Sequence, residues 1–233
     1  MSLNVIINYN SEINELCSMY PVFNFLKSTR LHESEDIKWN ISGIESYDAQ
    51  VMFIGKTGYG KSTTLNKIIG KDLFETSDTS SCTKQLFSAE YKLNNNQYFS
   101  FNDLPGVGES KLADTQYYEW YKGMLDKSYC VVYLLRADQR DYTVDQVLFK
   151  EMFKNLNERK KVIVALNFAD KIEPINRTSE LTTAQLANLN KKVEEVKKLF
   201  EVKEVIYYSA ALGLNIDILT EKIASVVRKV VYK

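Results

Sequence analysis

Gly55-Lys56-Thr57-Gly58-Tyr59-Gly60-Lys61-Ser62 fits the pattern GxxxxGK[ST] at every position. The apolar run Val51-Met52-Phe53-Ile54 precedes it and reads as a buried strand, and residues 63–69 read as the start of a helix. A strand–loop–helix unit of this kind wraps a phosphate chain with its own backbone N–H groups at the positive end of a helix. Gly58 and Gly60 let the backbone take positive φ and approach an anion closely. Lys61 brings a point charge to the β and γ phosphates, and Ser62 offers a hydroxyl to magnesium. Tyr59 and Thr63, flanking these positions, belong to the same set of nucleotide contacts. The chain therefore reads as a nucleotide binder.

Three downstream signals bear on which nucleotide it is. Asp103-Leu104-Pro105-Gly106 follows the strand-like run Tyr98-Phe99-Ser100-Phe101. A carboxylate at that strand end can hold a magnesium shell through water, and Gly106 supplies an N–H for the γ-phosphate. Next, residues 161–166 read as another buried strand, ending in Asn167-Phe168-Ala169-Asp170. A carboxylate at Asp170 can accept both N1–H and the exocyclic amine of guanine, a pair that adenine does not offer. Finally, Val205-Ile206-Tyr207-Tyr208 leads into Ser209-Ala210-Ala211-Leu212-Gly213, a turn suited to the guanine carbonyl. GTP or GDP with Mg2+ is the expected ligand set, held on the base side by Asn167, Asp170, Ser209 and Ala210.

The ordered set GKTGYGKS, DLPG, NFAD and SAALG resembles a P-loop GTPase of the translation-factor-related class. Within it the chain is similar to the Era-like group, and most of all to the YfjP/YeeP-like GTPases. DLPGVGES at residues 103–110, RADQR at 136–140 and ADKIEP at 169–174 carry that closer match. The resemblance runs from about residue 50 to the end and leaves residues 1–48 uncovered. It implies a three-layer α/β fold with a mostly parallel sheet, and catalytic roles for Lys61, Gly106 and a first-switch threonine. Thr83 is the candidate threonine and a metal ligand beside Ser62 and Asp103; Thr76, Thr79, Ser80 and Ser81 are its rivals. Two positions depart from the family pattern. Phe168 stands where the guanine motif usually has lysine, so a ring replaces an aliphatic stem and its charge. Val107 stands where Ras-like enzymes carry the glutamine that orients the attacking water. Some Era-like enzymes use a potassium ion held by a phosphate-loop asparagine, and Gly58 occupies that position here.

Composition fits a single cytoplasmic chain with an N-terminal helical extension, 1–48, and a GTPase domain, 49–233. At 233 residues it can bury one good core. Lys+Arg and Asp+Glu both number 30, so net charge gives no footprint for non-specific nucleic-acid binding. No apolar run approaches the roughly 20 residues that span a bilayer, and no charged-then-apolar leader opens the chain. Three widely spaced cysteines, Cys17, Cys82 and Cys130, read as reduced thiols.

Between the motifs the chain alternates strand and helix. Residues 85–93 and the run before Asp103 read as a hairpin about an Asn94-Asn95-Asn96 turn, giving one antiparallel edge strand. Residues 129–135 read as a strand, and 144–156 as a helix with Val147, Leu148 and Met152 on one side. Helical stripes follow at Leu186, Leu189, Val193, Val196, Phe200 and at Ile216, Leu219, Ile223, Val226, Val230. In the extension, Ile13, Leu16, Phe23 and Leu26 form a stripe broken at Pro21: one kinked helix or two short ones, serving as a brace on the core or as a partner contact. His32 reads as a surface residue. Arg140 is either a solvated charge or an arginine given to a neighbouring copy's nucleotide across a homodimer. The activity expected is GTP hydrolysis in a switch acting on an effector protein; the alternative is a nucleotide-regulated, self-assembling, septin-like module.

Overall fold

A computed structural model describes residues 5–31, 37–41, 44–74, 86–106, 121–125, 128–175 and 180–232. Eight strands form one sheet: β1 (Val5–Glu12), β2 (Ile37–Ile41), β3 (Ile44–Ile54), β4 (Leu86–Asn94), β5 (Gln97–Asp103), β6 (Cys130–Arg136), β7 (Val162–Asn167) and β8 (Val205–Tyr207). Their order is β1-β4-β5-β3-β6-β7-β8, with β2 antiparallel to the first residues of β3. The five strands from β5 to β8 run parallel. Continuous Val, Ile, Leu and Phe runs mark strands covered on both faces, and β3 and β6 are buried along their apolar lengths.

The expected hairpin is present, with Phe87 facing Asp103 and Asn94 facing Gln97. Its outer strand is not the edge. β1 lies parallel to β4 outside it, so two strands run against the body of the sheet. The N-terminal stretch read as helical thus holds strand as well. After β1 come two short helical pieces, α1 (Ile13–Met19) and a 3-10 helix (Pro21–Ser28), and Pro21 is where they divide. Leu16, Phe23 and Leu26 are fully buried, and the Phe23 ring lies 5.4 Å from that of Phe99. The apolar stripe braces the sheet.

Among the described residues, four longer helices flank it: α2 (Lys61–Ile69), α3 (Thr143–Met152), α5 (Thr183–Phe200) and α6 (Ile216–Val231), with one turn, α4 (Leu156–Arg159), between β6 and β7. α2 and α6 touch each other, α6 meets the 3-10 helix, and α3 packs on α5, giving a layer on each face. The stripes on α5 and α6 point inward, with Leu189, Val196, Phe200, Leu219 and Ile223 buried. The stripe expected on α3 holds in part: Leu148 and Met152 pack against the core, but Val147 is half exposed, and Asp145 and Phe149 are the fully buried positions. The Phe149 ring joins those of Tyr133 and Phe200, each 5.2 Å away, and this aromatic cluster sets the rotation of the helix.

Candidate nucleotide site

β3 ends at Ile54 and the chain turns through residues 55–60 into α2. Gly58 and Gly60 have φ of +78° and +81°, the left-handed region that glycine enters without steric cost. At Gly60 a side chain is also excluded by space, since a Cβ would lie 2.4 Å from the Asn167 amide nitrogen. Lys61 is buried and donates from Nζ to Gly55 O at 3.1 Å and Lys56 O at 3.3 Å. Its ammonium is thus held in the mouth of the loop. Thr63 lies in the first turn of α2, beside a cavity of about 810 Å3 that Ala210 also lines.

Asp103 is the last residue of β5 and is buried. Ser62 Oγ donates to its Oδ2 at 2.5 Å, and Oδ1 has no partner among the described residues. Burial pushes the carboxyl above the usual range, against the pull of the Lys61 ammonium and the Ser62 hydroxyl. A buried, half-satisfied carboxylate beside a hydroxyl is an oxygen donor set that fits a hard divalent cation. Gly106 packs directly on the loop, where a Cβ would fall 2.1 Å from Thr57 Oγ1 and 2.7 Å from Thr57 N. Tyr121 OH donates to Pro105 O and pins the same turn. Thr83 and its rivals, with Val107, lie outside the described residues.

The base side is assembled by Asn167. Its Nδ2 donates to Tyr59 O at 3.1 Å, and its Oδ1 accepts from Phe168 N at 2.8 Å and Ala210 N at 3.1 Å. One side chain therefore ties the phosphate loop, the NFAD turn and the Ser209 turn together. Tyr208 supports the junction from behind: its OH and Thr64 Oγ1 are 2.9 Å apart, and its carbonyl accepts from Ala169 N. Ser209 is buried and holds its own turn through Leu212 N to Oγ at 3.3 Å. Asp170 is buried, and its Oδ1 has no partner among the described residues. A carboxylate oxygen with no donor is costly to bury unless a ligand supplies one.

Motif reading missed two supports. Tyr59 OH donates to Gln139 Oε1 at 2.5 Å, and buried Asp145 accepts from Lys56 Nζ at 2.8 Å and Gln139 Nε2 at 3.0 Å. The first turn of α3 thereby buttresses the phosphate loop. Burial, with Asp145 nearby, pushes the Tyr59 phenol well up, so the hydroxyl stays a donor. Arg136, ending β6 opposite Asn167, was noticed in sequence only within RADQR. Arg140, by contrast, is almost fully exposed, 4.0 Å from Glu173.

Residues 50–168 match the family described as 50S ribosome-binding GTPase. The chain belongs to this GTPase family. It is 31% identical over 190 residues to YkfA of Escherichia coli K12, an uncharacterized protein, covering 81% of this chain and 66% of that one. YfjP of the same organism, also uncharacterized, is 29% identical, covering 88% of this chain and 71% of that one. The crystal structure of Era in complex with MgGDPNP and nucleotides 1506-1542 of 16S ribosomal RNA superposes with a TM-score of 0.62 at 26% identity, covering 77% of this chain and 57% of that one. The Era-like resemblance and the α/β GTPase fold are thus borne out. GTP or GDP with Mg2+ are the cofactors of such a domain, and no helix among the described residues is long and apolar enough to cross a membrane.

Proposed function

We propose that this chain binds GTP with magnesium, hydrolyses it to GDP and phosphate, and uses the change as a switch on an effector protein. The observation that carries the guanine assignment is the buried, unpartnered Oδ1 of Asp170 beside the three loops joined by Asn167. Guanine presents two donors to such a carboxylate, and adenine presents none in that arrangement. Lys61 and the loop amides of residues 58–63 bind the phosphates and stabilise charge developing on them. Ser62 and Asp103 hold the metal, with Thr83 as the first-switch ligand, and Gly106 gives its N–H to the γ-phosphate. Bound magnesium neutralises β- and γ-phosphate charge. The Ser209–Ala210 turn takes the guanine carbonyl.

Titration calorimetry tests this directly. GDP should bind at least about a hundredfold more tightly than ADP, the scale set by a buried polar reader left unpaired. Comparable affinities overturn the guanine assignment.

A second reading, a self-assembling module with weak hydrolysis, draws on Arg140. Its loop reaches the phosphate loop through Gln139, yet among the described residues its own guanidinium has only the long contact to exposed Glu173. An arginine so placed can serve a second copy's nucleotide. Size measurements with GDP and with a non-hydrolysable GTP analogue separate the readings: dimer formation only with the analogue supports assembly.

A further inference from the structure

Phe168 stands where this family's guanine motif carries lysine, and the neighbourhood of its ring shows what takes over. Its backbone has φ of +63°, which turns the side chain toward the phosphate loop, and Cε2 lies 3.7 Å from where a Gly60 Cβ would be. The Arg136 guanidinium carbon lies 4.2 Å from the ring centroid, and Lys171 Nζ lies 4.5 Å from it. Arg136 is itself held. Nε and Nη2 donate to the two carboxylate oxygens of Asp138 at 3.0 and 2.8 Å, a bidentate fork that fixes the guanidinium plane. Nη1 reaches Gly58 O at 3.4 Å. β6 presents this residue directly opposite Asn167 of β7.

We propose that Arg136, clamped by Asp138, is the positioning residue of the base slot. It supplies the cation that position 168 lacks and holds the Phe168 ring as a wall against the nucleobase. The family lysine combines an apolar stem and a charge in one side chain; here the two properties are divided between Phe168 and Arg136. A planar guanidinium can stack flat on an aromatic face and fix its orientation, which a point-charge ammonium does not. The inference rests on the guanine reading above and adds a determinant of base affinity from a different strand.

The test is GDP titration of the whole chain, with apo thermal unfolding alongside. Arg136→Ala should weaken GDP about tenfold, the size of one half-buried cation–π contact, and Arg136→Lys should recover part of it. Asp138→Asn, which loosens the clamp, should weaken GDP less than Arg136→Ala does. The decisive variant is Arg136→Ala with Phe168→Lys. It restores stem and charge at one position and should regain GDP affinity without regaining any lost melting temperature. GDP binding by Arg136→Ala at wild-type strength overturns the inference, as does failure of the double variant to regain affinity. Should Arg136→Ala fail to fold, Arg136→Lys alone and with Phe168→Lys make the same comparison. A wild-type protein that binds no GDP overturns the guanine reading and the inference with it.

Discussion

Asn167 Nδ2 donates to Tyr59 O across 3.1 Å, so the base-reading turn and the phosphate loop are fastened by one side-chain amide. With Oδ1 accepting twice and one of the two Nδ2 hydrogens spent on Tyr59, Asn167 organises the site and keeps one N–H for a ligand.

Asn167→Ala should therefore cost stability as well as affinity. It leaves the Tyr59 carbonyl and the Phe168 and Ala210 N–H groups without this partner, which predicts a loss of about 1–3 kcal/mol. Denaturant unfolding of the apo protein measures it. Unchanged apo stability would mean that the amide acts only on bound nucleotide.

Asp170→Asn should convert the base preference rather than abolish binding. An asparagine offers a donor to the oxygen that xanthine carries where guanine has its amine. XDP should gain on GDP by about tenfold or more, in line with hydrogen-bond discrimination at a buried site. Competition between XDP and GDP reads the ratio, and an unchanged ratio removes Asp170 from the base.

Gly106→Ala should separate the DLPG turn from the phosphate loop. The added methyl meets Thr57 backbone as well as side chain, so no rotamer change relieves it. The γ-phosphate donor moves away, and affinity for a GTP analogue should fall while GDP affinity holds. Equal loss of both would place the damage in the loop itself.

Turnover by the isolated chain should be slow, on the order of 10⁻³ per second, as in unassisted small GTPases. Val107 has no group to orient water, and Gly58 has none to ligate potassium, so exchanging sodium for potassium should change little. A specific rate that rises with protein concentration and falls back in Arg140→Ala, at unaltered nucleotide affinity, supports catalysis across a dimer. A fast, concentration-independent rate points instead to a catalytic group within the DLPGVGES stretch, with Glu109 the first residue to test.

Glu15 gives a pH-dependent tether. Lys71, Ser11 and Tyr9 all donate to it, and together they lower its carboxyl to about 2, against an ordinary 4.5. A depressed carboxyl adds stability above its unfolded pKa and loses it as pH falls through the folded one. The tether should be whole above about pH 4.5 and fade towards pH 2. Glu15→Gln should be less stable than wild type near neutral pH, and the gap should close on acidification. A gap that does not vary with pH removes the charge from the explanation.

The phosphate loop, the central strands and Asp170 were legible because each declares itself locally, by a fixed spacing or an unbroken apolar run. β1 was not, since Ile6 and Ile7 are partly exposed at a sheet edge and Asn and Tyr interrupt the run. α3 misled because its valines face outward while one phenylalanine anchors it. Arg136 meets the Phe168 ring just past the next strand, and Asp145 meets Lys56, 89 residues away in sequence, which no spacing rule records. Thr83 and Val107 lie in the stretches read as switches, beyond the described residues.

The pairing of β1 with β4 also dictates an order of assembly. Val5 sits beside Leu86, and β4 is itself held by β5, so the strand nearest the start of the chain has no template until residue 103 exists. On a ribosome adding about 5–20 residues per second, that segment waits for several seconds with its apolar residues uncovered. The residues of β1 are made before the strands that hold them, and they are among the last of this sheet to find their place.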